Sequence, residues 1–415
     1  MRFGVFYELQ LPRPWKDGDE QKLFNDALEQ VVLADTLGFD YAWVVEHHFL
    51  DEYSHSSSPE VFLGAAAART DRIRVGHGIR QVIPRYNHPA RTAEGLASLD
   101  LISNGRVDFG IGEGATRLEL GAFGVRAKEK RQLALEAAEQ ICNMMVLEPY
   151  PGFEGQGFSM PCRNVLPKPL QKPHPPLWMA CSNRETIKEA ARNGVGALAF
   201  AFLDPEEAAS WSKIYYDIIK SEECIPLGWD VNANLAMVSA FSMHEDRGEA
   251  IRRGQDHFEF FRYAQQKLVA EDFIPGHTNM WEEFREKRGS ATDNLIKAAL
   301  SRSRYDGSGI GTPEDMGSHL DNLTDAGVDQ VIFMQQAGRN SHSNICDSIK
   351  LFADQVMPKF SEKTKERERK KELTLRPFIK AALGRKKFMK TLSRDEVPVV
   401  TASVKAAAFD AQKTG

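Results

Sequence analysis

The regular alternation of strand-like and helix-like segments is the feature that most constrains how this chain can fold. Short apolar runs without polar interruption predict strands buried on both faces, and segments with apolar residues at helical spacing predict the helices between them. Eight strands are predicted, over residues 2–7, 41–45, 73–76, 107–111, 177–180, 197–200, 232–240 and 330–334. Repeated β/α units build a parallel sheet covered by helices, and eight of them close a (β/α)8 TIM barrel of the α/β class.

An open, doubly wound sheet is the alternative that this periodicity leaves open. A dinucleotide-binding sheet of that type carries a Gly-x-Gly-x-x-Gly sequence after its first strand. No such sequence follows residues 2–7, which favours the barrel.

Two segments interrupt or extend the barrel pattern of residues 1–360. Residues 270–311 form a polar, charged insertion that is too long for an ordinary connection, and we predict that it is a mobile lid. Residues 361–415 are highly charged and then Ala-rich, which predicts an appended helix or a partly disordered tail.

Charge and composition argue against several classes of function. The net charge is −5, but residues 361–415 hold 15 Lys and Arg against 7 Asp and Glu, so the preceding residues carry −13. An acidic body does not suggest nucleic-acid binding. No run approaches the roughly 18 apolar residues of a membrane helix, and the first residues lack the pattern of a secretion signal. The five cysteines show no metal-ligand spacing. We therefore expect a cytoplasmic protein with no metal site and no membrane attachment.

Polar side chains after the second and third strands are the first candidates for chemistry, because β/α barrels carry their active sites at the carboxyl ends of the strands. The second strand leads into Glu46-His47-His48-Phe49. Imidazole titrates near neutral pH, so at least one of these histidines is a candidate acid or base. After the third strand, His77 and His88 are further candidates, although Asn87-His88-Pro89 also fits the start of a helix.

The fourth and fifth strands end in segments that suit a phosphorylated ligand. Alternate glycines at 110, 112 and 114 leave backbone accessible to a ligand, although turn geometry explains them equally well. The fifth strand leads through Ser182 and Asn183 into a helix. Free N–H groups at a helix start bind phosphate, but either side chain also suits a helix cap.

These segments together resemble the bacterial-luciferase-like family of flavin-dependent monooxygenases, and most closely its catalytic luciferase subunits. The likeness includes MRFGVF at the start, EHHF at 46–49, GRVDFG at 105–110 and GTPE at 311–314, and it covers residues 1–360. The resemblance implies a TIM barrel that binds flavin mononucleotide (FMN) non-covalently in its reduced form, FMNH2, supplied by a separate flavin reductase. It implies that oxygen adds to the flavin C4a atom and that the peroxide oxygenates a small hydrophobic substrate. It further implies a homodimer, or a heterodimer with a related subunit.

The resemblance also assigns roles to individual residues. His47 and His88 match catalytic histidines of the family, and Arg131 and Ser182 match residues that bind the flavin phosphate. The cofactor-binding residues implied are Gly78, Ile79, Gly112, Arg131, Ala180, Cys181 and Ser182. A non-proline cis peptide is expected at Gly78-Ile79, beneath the flavin ring.

Three positions depart from the family pattern. Gly112 stands where luciferases have a reactive cysteine, Glu113 replaces a phosphate-binding arginine, and Cys181 replaces a glutamate. We therefore expect a partly rebuilt phosphate pocket, with Arg117 or Arg184 as possible substitutes, and we do not expect light emission.

Two other functions stay open. One is a deazaflavin-dependent oxidoreductase of the same superfamily, and the other is a non-catalytic scaffold subunit, against which the presence of His47 argues. The substrate is not predicted beyond its hydrophobic character.

Overall fold

Eight parallel strands close into a barrel, which confirms the predicted α/β class and the TIM-barrel architecture. The structure is a computed structural model, and it describes residues 1–287 and 309–402. The described residues contain twelve strands, of which β5 with β6 and β10 with β11 form small separate sheets outside the barrel. The strands are β1 (Arg2–Tyr7), β2 (Tyr41–Val44), β3 (Arg74–Gln81), β4 (Val107–Gly112), β5 (Tyr150–Glu154), β6 (Ser159–Arg163), β7 (Leu177–Cys181), β8 (Gly196–Ala199), β9 (Leu235–Ser239), β10 (Ser242–Met243), β11 (Ile310–Gly311) and β12 (Gln330–Gln335). Around the barrel their order is β1-β12-β9-β8-β7-β4-β3-β2.

Helices pack around the barrel and follow most of its strands. They are α1 (Asp19–Leu37), α2 (Pro59–Ala68), α3 (Pro89–Ile102), α4 (Arg117–Ala122), α5 (Lys130–Val146), α6 (Arg184–Arg192), α7 (Pro205–Ile219), α8 (Arg247–Ala270), α9 (Met280–Lys287), α10 (Pro313–Asp325), α11 (His342–Gln355), α12 (Met357–Ser361) and α13 (Thr364–Arg385). The apolar stripe of α1 is buried against the barrel, and the helix ends at Gly38, whose φ of 97° is the left-handed conformation expected there. Among the described residues, no helix is long and apolar enough to cross a membrane.

Each of the eight predicted strands corresponds to a barrel strand, with ends that shift by a few residues. The largest difference is in β3, which continues to Gln81, five residues beyond its predicted end. The prediction stopped early because glycines and polar residues interrupt the apolar run. The antiparallel hairpin formed by β5 and β6 lies between α5 and β7 and is not among the eight predicted strands.

The predicted non-proline cis peptide at Gly78-Ile79 is wrong. The cis peptide bonds among the described residues all precede prolines. In its place β3 has an irregularity, because its register against β4 shifts between His77 and Arg80. Such a bulge bends a strand and turns its side chains without a cis bond.

Two tryptophans fill the middle of the barrel. Trp43 of β2 and Trp178 of β7 are buried, and their rings meet edge to face with centroids 5.5 Å apart. Glycines on neighbouring strands provide the space, because a Cβ atom at Gly76 would overlap the Trp43 ring and one at Gly196 would overlap the Trp178 ring. The two rings form a plug in the barrel. Trp43 lines a cavity above this plug and Trp178 lines a depression below it, so the plug separates the two ends of the barrel.

The charged C-terminal extension is a packed helix as far as residue 385. Arg2 of β1 forms an ion pair with Glu368 of α13 at 2.6 Å, and Leu375 of the same helix is buried. At the far end of α13, Arg385 donates to the carbonyl of Cys224 at 2.9 Å. The helix therefore lies across the floor of the barrel, where the strands begin. Residues 403–415 lie outside the described part.

The insertion predicted to be a lid is docked where the structure describes it. The backbone N–H of Met280, at the start of α9, donates to the carboxylate of Glu52, and Phe284 is buried. Residues 288–308 lie outside the described residues, so the mobile lid stays a prediction.

We expect Gly76→Ala to destabilise the protein, because the added methyl group would overlap the Trp43 ring. Overpacking of a closed core costs about 1–3 kcal/mol. The matched control is Gly317→Ala in α10, where a Cβ atom meets nothing within 4 Å and the helix should gain roughly 0.5–1 kcal/mol. Urea unfolding of both variants measures the difference. Equal stability of Gly76→Ala and the parent chain would mean that the plug is not tightly packed.

Candidate active site

A cavity of about 800 Å³ opens at the carboxyl ends of the barrel strands. Its floor and walls include Phe6 of β1, Trp43 of β2, Phe200 after β8 and Ile332 of β12, so most of its surface is apolar. Helix α8 lies over one side. The position is the one at which β/α barrels carry their active sites.

His47 lies on the wall of this cavity between two buried carboxylates. Its Nδ1 is 3.0 Å from Glu119, and its Nε2 is 3.6 Å from Glu8, beyond hydrogen-bond distance. The hydroxyl of Tyr53 donates to the other oxygen of Glu8 at 3.1 Å, and the Tyr53 ring packs edge-on against His47. The hydrogen bond to Glu119 therefore fixes one ring nitrogen and leaves Nε2 available to a ligand.

The charges around His47 set its protonation state. Burial opposes a charge on the imidazole, but the carboxylates of Glu119 and Glu8 outweigh it and raise the pKa of His47 to about 9. Burial would raise the pKa of Glu119, yet the His47 imidazolium holds it below its ordinary value. Burial raises the pKa of Glu8 to about 7. At neutral pH His47 is therefore a cation that donates hydrogen bonds, with Glu119 as its counter-ion.

Glu46 and His48 of the EHHF motif support the loop rather than line the cavity. Glu46 accepts hydrogen bonds from the backbone N–H of Gln81 at 3.0 Å and from the amide of Asn87 at 2.7 Å. Its carboxylate also lies 3.0 Å from His48 Nε2. The His48 ring packs edge to face against the Phe123 ring, with centroids 5.1 Å apart. This network holds His47 in place.

The histidines after the third strand lie away from the cavity. His88 is the cap of α3, where its Nδ1 accepts from the N–H of Ala90 at 3.2 Å, and its residue is exposed. The structure therefore places it in the helix-start role and does not bring it to the catalytic position implied by the resemblance. His77 is buried against Phe109, and it does not line the cavity either.

A cluster of charged side chains forms one end of the cavity. Arg131 Nη2 donates to Glu113 at 3.1 Å, and the guanidinium is also paired with Glu189. Lys130 lies 3.2 Å from Glu113 and donates to the carbonyl of Gly114 at 2.7 Å. Two cations thus face two carboxylates, so the charge of this end is nearly balanced.

The start of α6 borders this charged end. Ser182 and Asn183 line the cavity, but their backbone N–H groups both donate to the hydroxyl of Thr186, at 3.1 and 3.2 Å. Asn183 accepts in return from the N–H of Thr186, which makes a complete capping box. The Ser182 hydroxyl accepts a long hydrogen bond from the Asn183 amide, at 3.5 Å. Its own proton therefore stays available to a ligand.

Ala180 and Cys181 end β7 beside this turn and also line the cavity. The Cys181 thiol donates to the carbonyls of Met179 and Thr186, and burial raises its pKa to about 12. A neutral, packed thiol is not a nucleophile.

The glycines after the fourth strand make room for protein as well as for ligand. A Cβ atom at Gly110 would overlap the His77 carbonyl, and one at Gly112 would overlap the Ile79 side chain. Gly78, Ile79 and Gly112 all line the cavity as predicted, with Ile79 filling the space beside Gly112.

Neither arginine suggested as a phosphate ligand reaches the cavity wall. Arg184 is paired with Glu207 at the surface, and Arg117 is exposed in α4. Arg131 and Lys130, by contrast, line the cavity together with Ser182.

Several polar atoms of the cavity side chains are buried without a hydrogen-bond partner. Trp43 Nε1 is such a donor, and Gln81 Oε1 and Glu8 Oε2 are such acceptors. An unmet buried hydrogen bond costs about 1–3 kcal/mol, so a ligand with both donors and acceptors would be stabilised here.

Sequence reasoning missed Glu8 and Glu119, the two carboxylates of His47. Glu8 directly follows β1, so the strand-end rule that selected His47 applies to it as well. Glu119 belongs to Thr116-x-x-Glu119, a capping-box pattern, and Thr116 does cap α4 by accepting from the N–H of Glu119 at 3.2 Å. Its contact with His47 has no signal in the sequence.

The luciferase-like monooxygenase family model matches residues 1–330, and the chain belongs to this family. The match covers the eight-stranded barrel up to the start of β12 and includes the whole of the cavity except Ile332.

Curated relatives include flavin-dependent monooxygenases. The oxygenase component of a flavin-dependent trigonelline monooxygenase from Acinetobacter baylyi is 30% identical over 198 residues, 47% of this chain and 52% of that protein. An alkanal monooxygenase alpha chain from the Kryptophanaron alfredi symbiont is 22% identical over 373 residues, 88% of this chain and 99% of that one. An uncharacterized protein of Sinorhizobium fredii is 31% identical over 59% of this chain and 66% of its own length. The chain thus spans half to two thirds of the first and last of these relatives.

Solved structures share the fold. The monooxygenase RslO1 from Streptomyces bottropensis has a TM-score of 0.70 and 26% identity, and covers 87% of this chain and 100% of its own. The oxygenating constituent of 3,6-diketocamphane monooxygenase from Pseudomonas putida, in complex with FMN, has a TM-score of 0.62 at 18% identity over 86% and 98%. A coenzyme F420-dependent tetrahydromethanopterin reductase from Methanopyrus kandleri has a TM-score of 0.61 at 21% identity over 86% and 99%. The last two likenesses concern the fold alone.

We expect His47 to stay protonated well above neutral pH, and Glu119→Gln to lower its pKa toward the ordinary 6.5. The physical reason is that the substitution removes the nearest negative charge and retains a side chain of the same size. Titration of the histidine ring signals by NMR measures both pKa values. Glu372→Gln, at the exposed surface of α13, is the control and should change nothing. If the pKa of His47 is the same in Glu119→Gln as in the parent chain, Glu119 does not stabilise the protonated imidazole.

Proposed function

We propose that this chain is the oxygenase component of a two-component monooxygenase. It binds FMNH2, supplied by a separate flavin reductase, and uses molecular oxygen to oxygenate a small hydrophobic substrate. The observation that carries the proposal is His47, held as a cation by buried carboxylates on the wall of an apolar cavity at the strand ends. The oxygenase component named among its relatives supports the same assignment.

The cavity suits a flavin mononucleotide in size and chemistry. Its volume falls within the roughly 300–1,000 Å³ of cofactor and ligand sites. The unpartnered atoms of Trp43, Gln81 and Glu8 would be satisfied by a ligand that both accepts and donates hydrogen bonds, as the polar edge of a flavin ring does. At the other end, Arg131 and the Ser182 hydroxyl are the groups that would hold the phosphate. When bound, reduced flavin supplies the electrons with which oxygen is activated.

His47 would supply a proton to the reacting oxygen atoms. Its Nδ1 is held by Glu119, so the proton to be donated is assigned to Nε2, which lies 3.6 Å from Glu8 and has no hydrogen-bond partner among the described residues. A pKa of about 9 makes the imidazolium a donor at neutral pH, and not a general base. Glu8 lies on the Nε2 side of the ring, at 3.6 Å, and can return a proton to Nε2 after each turnover, while the Tyr53 hydroxyl donates to the other Glu8 oxygen.

The apolar walls would keep water away from the reaction. Phe6, Leu198 and Ile332 offer no hydrogen bond to water inside the barrel. A dry site protects a reactive oxygen species from unproductive protonation and strengthens the electrostatic contribution of His47.

Incubation with reduced flavin, a flavin reductase and ¹⁸O-labelled oxygen tests the proposal. The substrates to screen are a long-chain aldehyde, a cyclic ketone, an aryl sulfide and aromatic carboxylates. Incorporation of one labelled oxygen atom into a product that requires the protein supports it. Binding of coenzyme F420 in preference to reduced flavin, with no incorporation, would instead assign the chain to the deazaflavin-dependent oxidoreductases.

We expect Glu113→Gln to bind FMN more tightly than the parent chain, and Arg131→Ala to bind it more weakly. Glu113 competes with the phosphate for Arg131, and a charge-assisted contact contributes about 1.5–3 kcal/mol. Fluorescence titration with FMN measures both effects. Riboflavin, which lacks the phosphate, is the matched control ligand, and its affinity should change little in either variant. If FMN affinity is the same in all three proteins, another residue binds the phosphate.

We expect His47→Ala to fold and to bind FMNH2, but to lose product formation by a factor on the order of 100 or more, the usual contribution of an acid–base group. Oxygen uptake should then end as free hydrogen peroxide. His277→Ala, at an exposed position outside the cavity, is the control. Turnover near that of the control, at saturating reduced flavin, would remove His47 from the mechanism.

A further inference from the structure

Arg262 differs from the other cations of the cavity wall. Arg131 and Lys130 are each paired with carboxylates, whereas no carboxylate lies within salt-bridge distance of Arg262 in the described part of the chain. Arg262 is half-buried on α8, and burial lowers the pKa of its guanidinium. Glu259, one turn earlier on α8, offsets part of this effect without forming an ion pair with Arg262 at salt-bridge distance. A partly desolvated charge with no ion pair is unfavourable, so an anion that entered the cavity would be stabilised beside it.

An aromatic wall leads from the barrel interior to Arg262. Phe6 and Phe200 line the cavity with ring centroids 5.5 Å apart, and Phe200 contacts Phe202 at 6.2 Å. The Arg262 guanidinium lies 5.8 Å from the centre of the Phe202 ring. Phe202 does not line the cavity, but Phe6, Phe200 and Arg262 do, so a planar apolar group can pack along Phe6 and Phe200 while a negative charge on it reaches Arg262.

The flavin phosphate is not the anion that this position best fits. Arg131, Lys130 and Ser182 border the cavity where β4 and β7 end. Arg262 comes from α8, which follows β9 and β10, and it contacts a residue that follows β8. The two cationic positions thus arise from different sectors of the barrel rim.

We propose that Arg262 is a substrate-binding residue, and that the substrate of this protein is an aromatic carboxylate whose carboxylate group pairs with the Arg262 guanidinium. The ring of the substrate packs between Arg262 and the aromatic wall of Phe6 and Phe200. The glutamines at 265 and 266, which line the same side of the cavity, add amide donors near the carboxylate. The inference rests on the proposed function, because it names the substrate class of that same site.

Binding of acids and their amides to the FMN-bound protein tests it. The probes are benzoate, phenylacetate and trans-cinnamate, each compared with its primary amide, which has nearly the same shape and no charge. We expect at least one acid to bind on the order of 10-fold or more tightly than its amide, as a charge-assisted hydrogen bond predicts. In Arg262→Gln this preference should disappear. Arg252→Gln, which alters an exposed arginine of the same helix, should retain it.

The other outcomes separate the inference from its alternatives. Equal affinity for every acid and its amide in the parent chain would overturn the inference, and so would a preference that survives in Arg262→Gln. Weaker FMN binding in Arg262→Gln, with the acid preference unchanged, would assign Arg262 to the cofactor. The Arg262→Lys variant, which keeps the charge but not the planar fork, guards against loss of folding and should keep part of the preference. An acid preference in a protein that binds no flavin would contradict the proposed function and leave this inference standing.

Discussion

Closure of the barrel by pairing the first strand with the last is the constraint on which the rest of the structure depends. β12 lies between β1 and β9, with Arg2 opposite Gln330 and Tyr7 opposite Gln335. Because all strands of the barrel are parallel, their carboxyl ends meet at one rim. Within this closed sheet β1 also pairs directly with β2, which brings Glu8, after β1, close to His47, after β2, although 38 residues separate them in the sequence. The same closure places Ile332 of β12 on the cavity wall.

The sequence predicts the architecture well because each barrel strand is a local signal. Continuous apolar runs and the strand-end rule were enough to find eight strands and to select His47. The contact of His47 with Glu119 was not predictable in this way, since it joins residues 72 positions apart through a short helix. His88 shows the opposite case. Its residue type and its family match suggest catalysis. In the structure its ring instead accepts a hydrogen bond from the N–H of Ala90 and caps the helix that begins at Pro89.

Charge compensation distinguishes the two cationic positions of the cavity. Glu113 and Glu189 already neutralise Arg131, so a phosphate that binds there must displace or share an existing ion pair. Glu113 departs from the family pattern, in which an arginine binds the phosphate. In the structure it is an anion that competes with a phosphate for Arg131. In the described part of the chain, Arg262 has no carboxylate within salt-bridge distance, and Glu259 acts on it only through the weaker electrostatic interaction of a carboxylate that is not paired with it. It could not be singled out from the sequence, because its surroundings depend on how α8 lies over the barrel.

The close fit of Ile79 against Gly112 links the histories of two positions that are far apart in the chain. A side chain at 112 would overlap the outer carbons of Ile79, so a larger residue at 112 requires that the Ile79 side chain turn away or be replaced. A lineage with a cysteine at the position of Gly112 needs a smaller residue at 79, or one that turns away from the fourth strand. The absence of the reactive cysteine here is thus coupled to a neighbour on another strand, and the pair should covary among related chains.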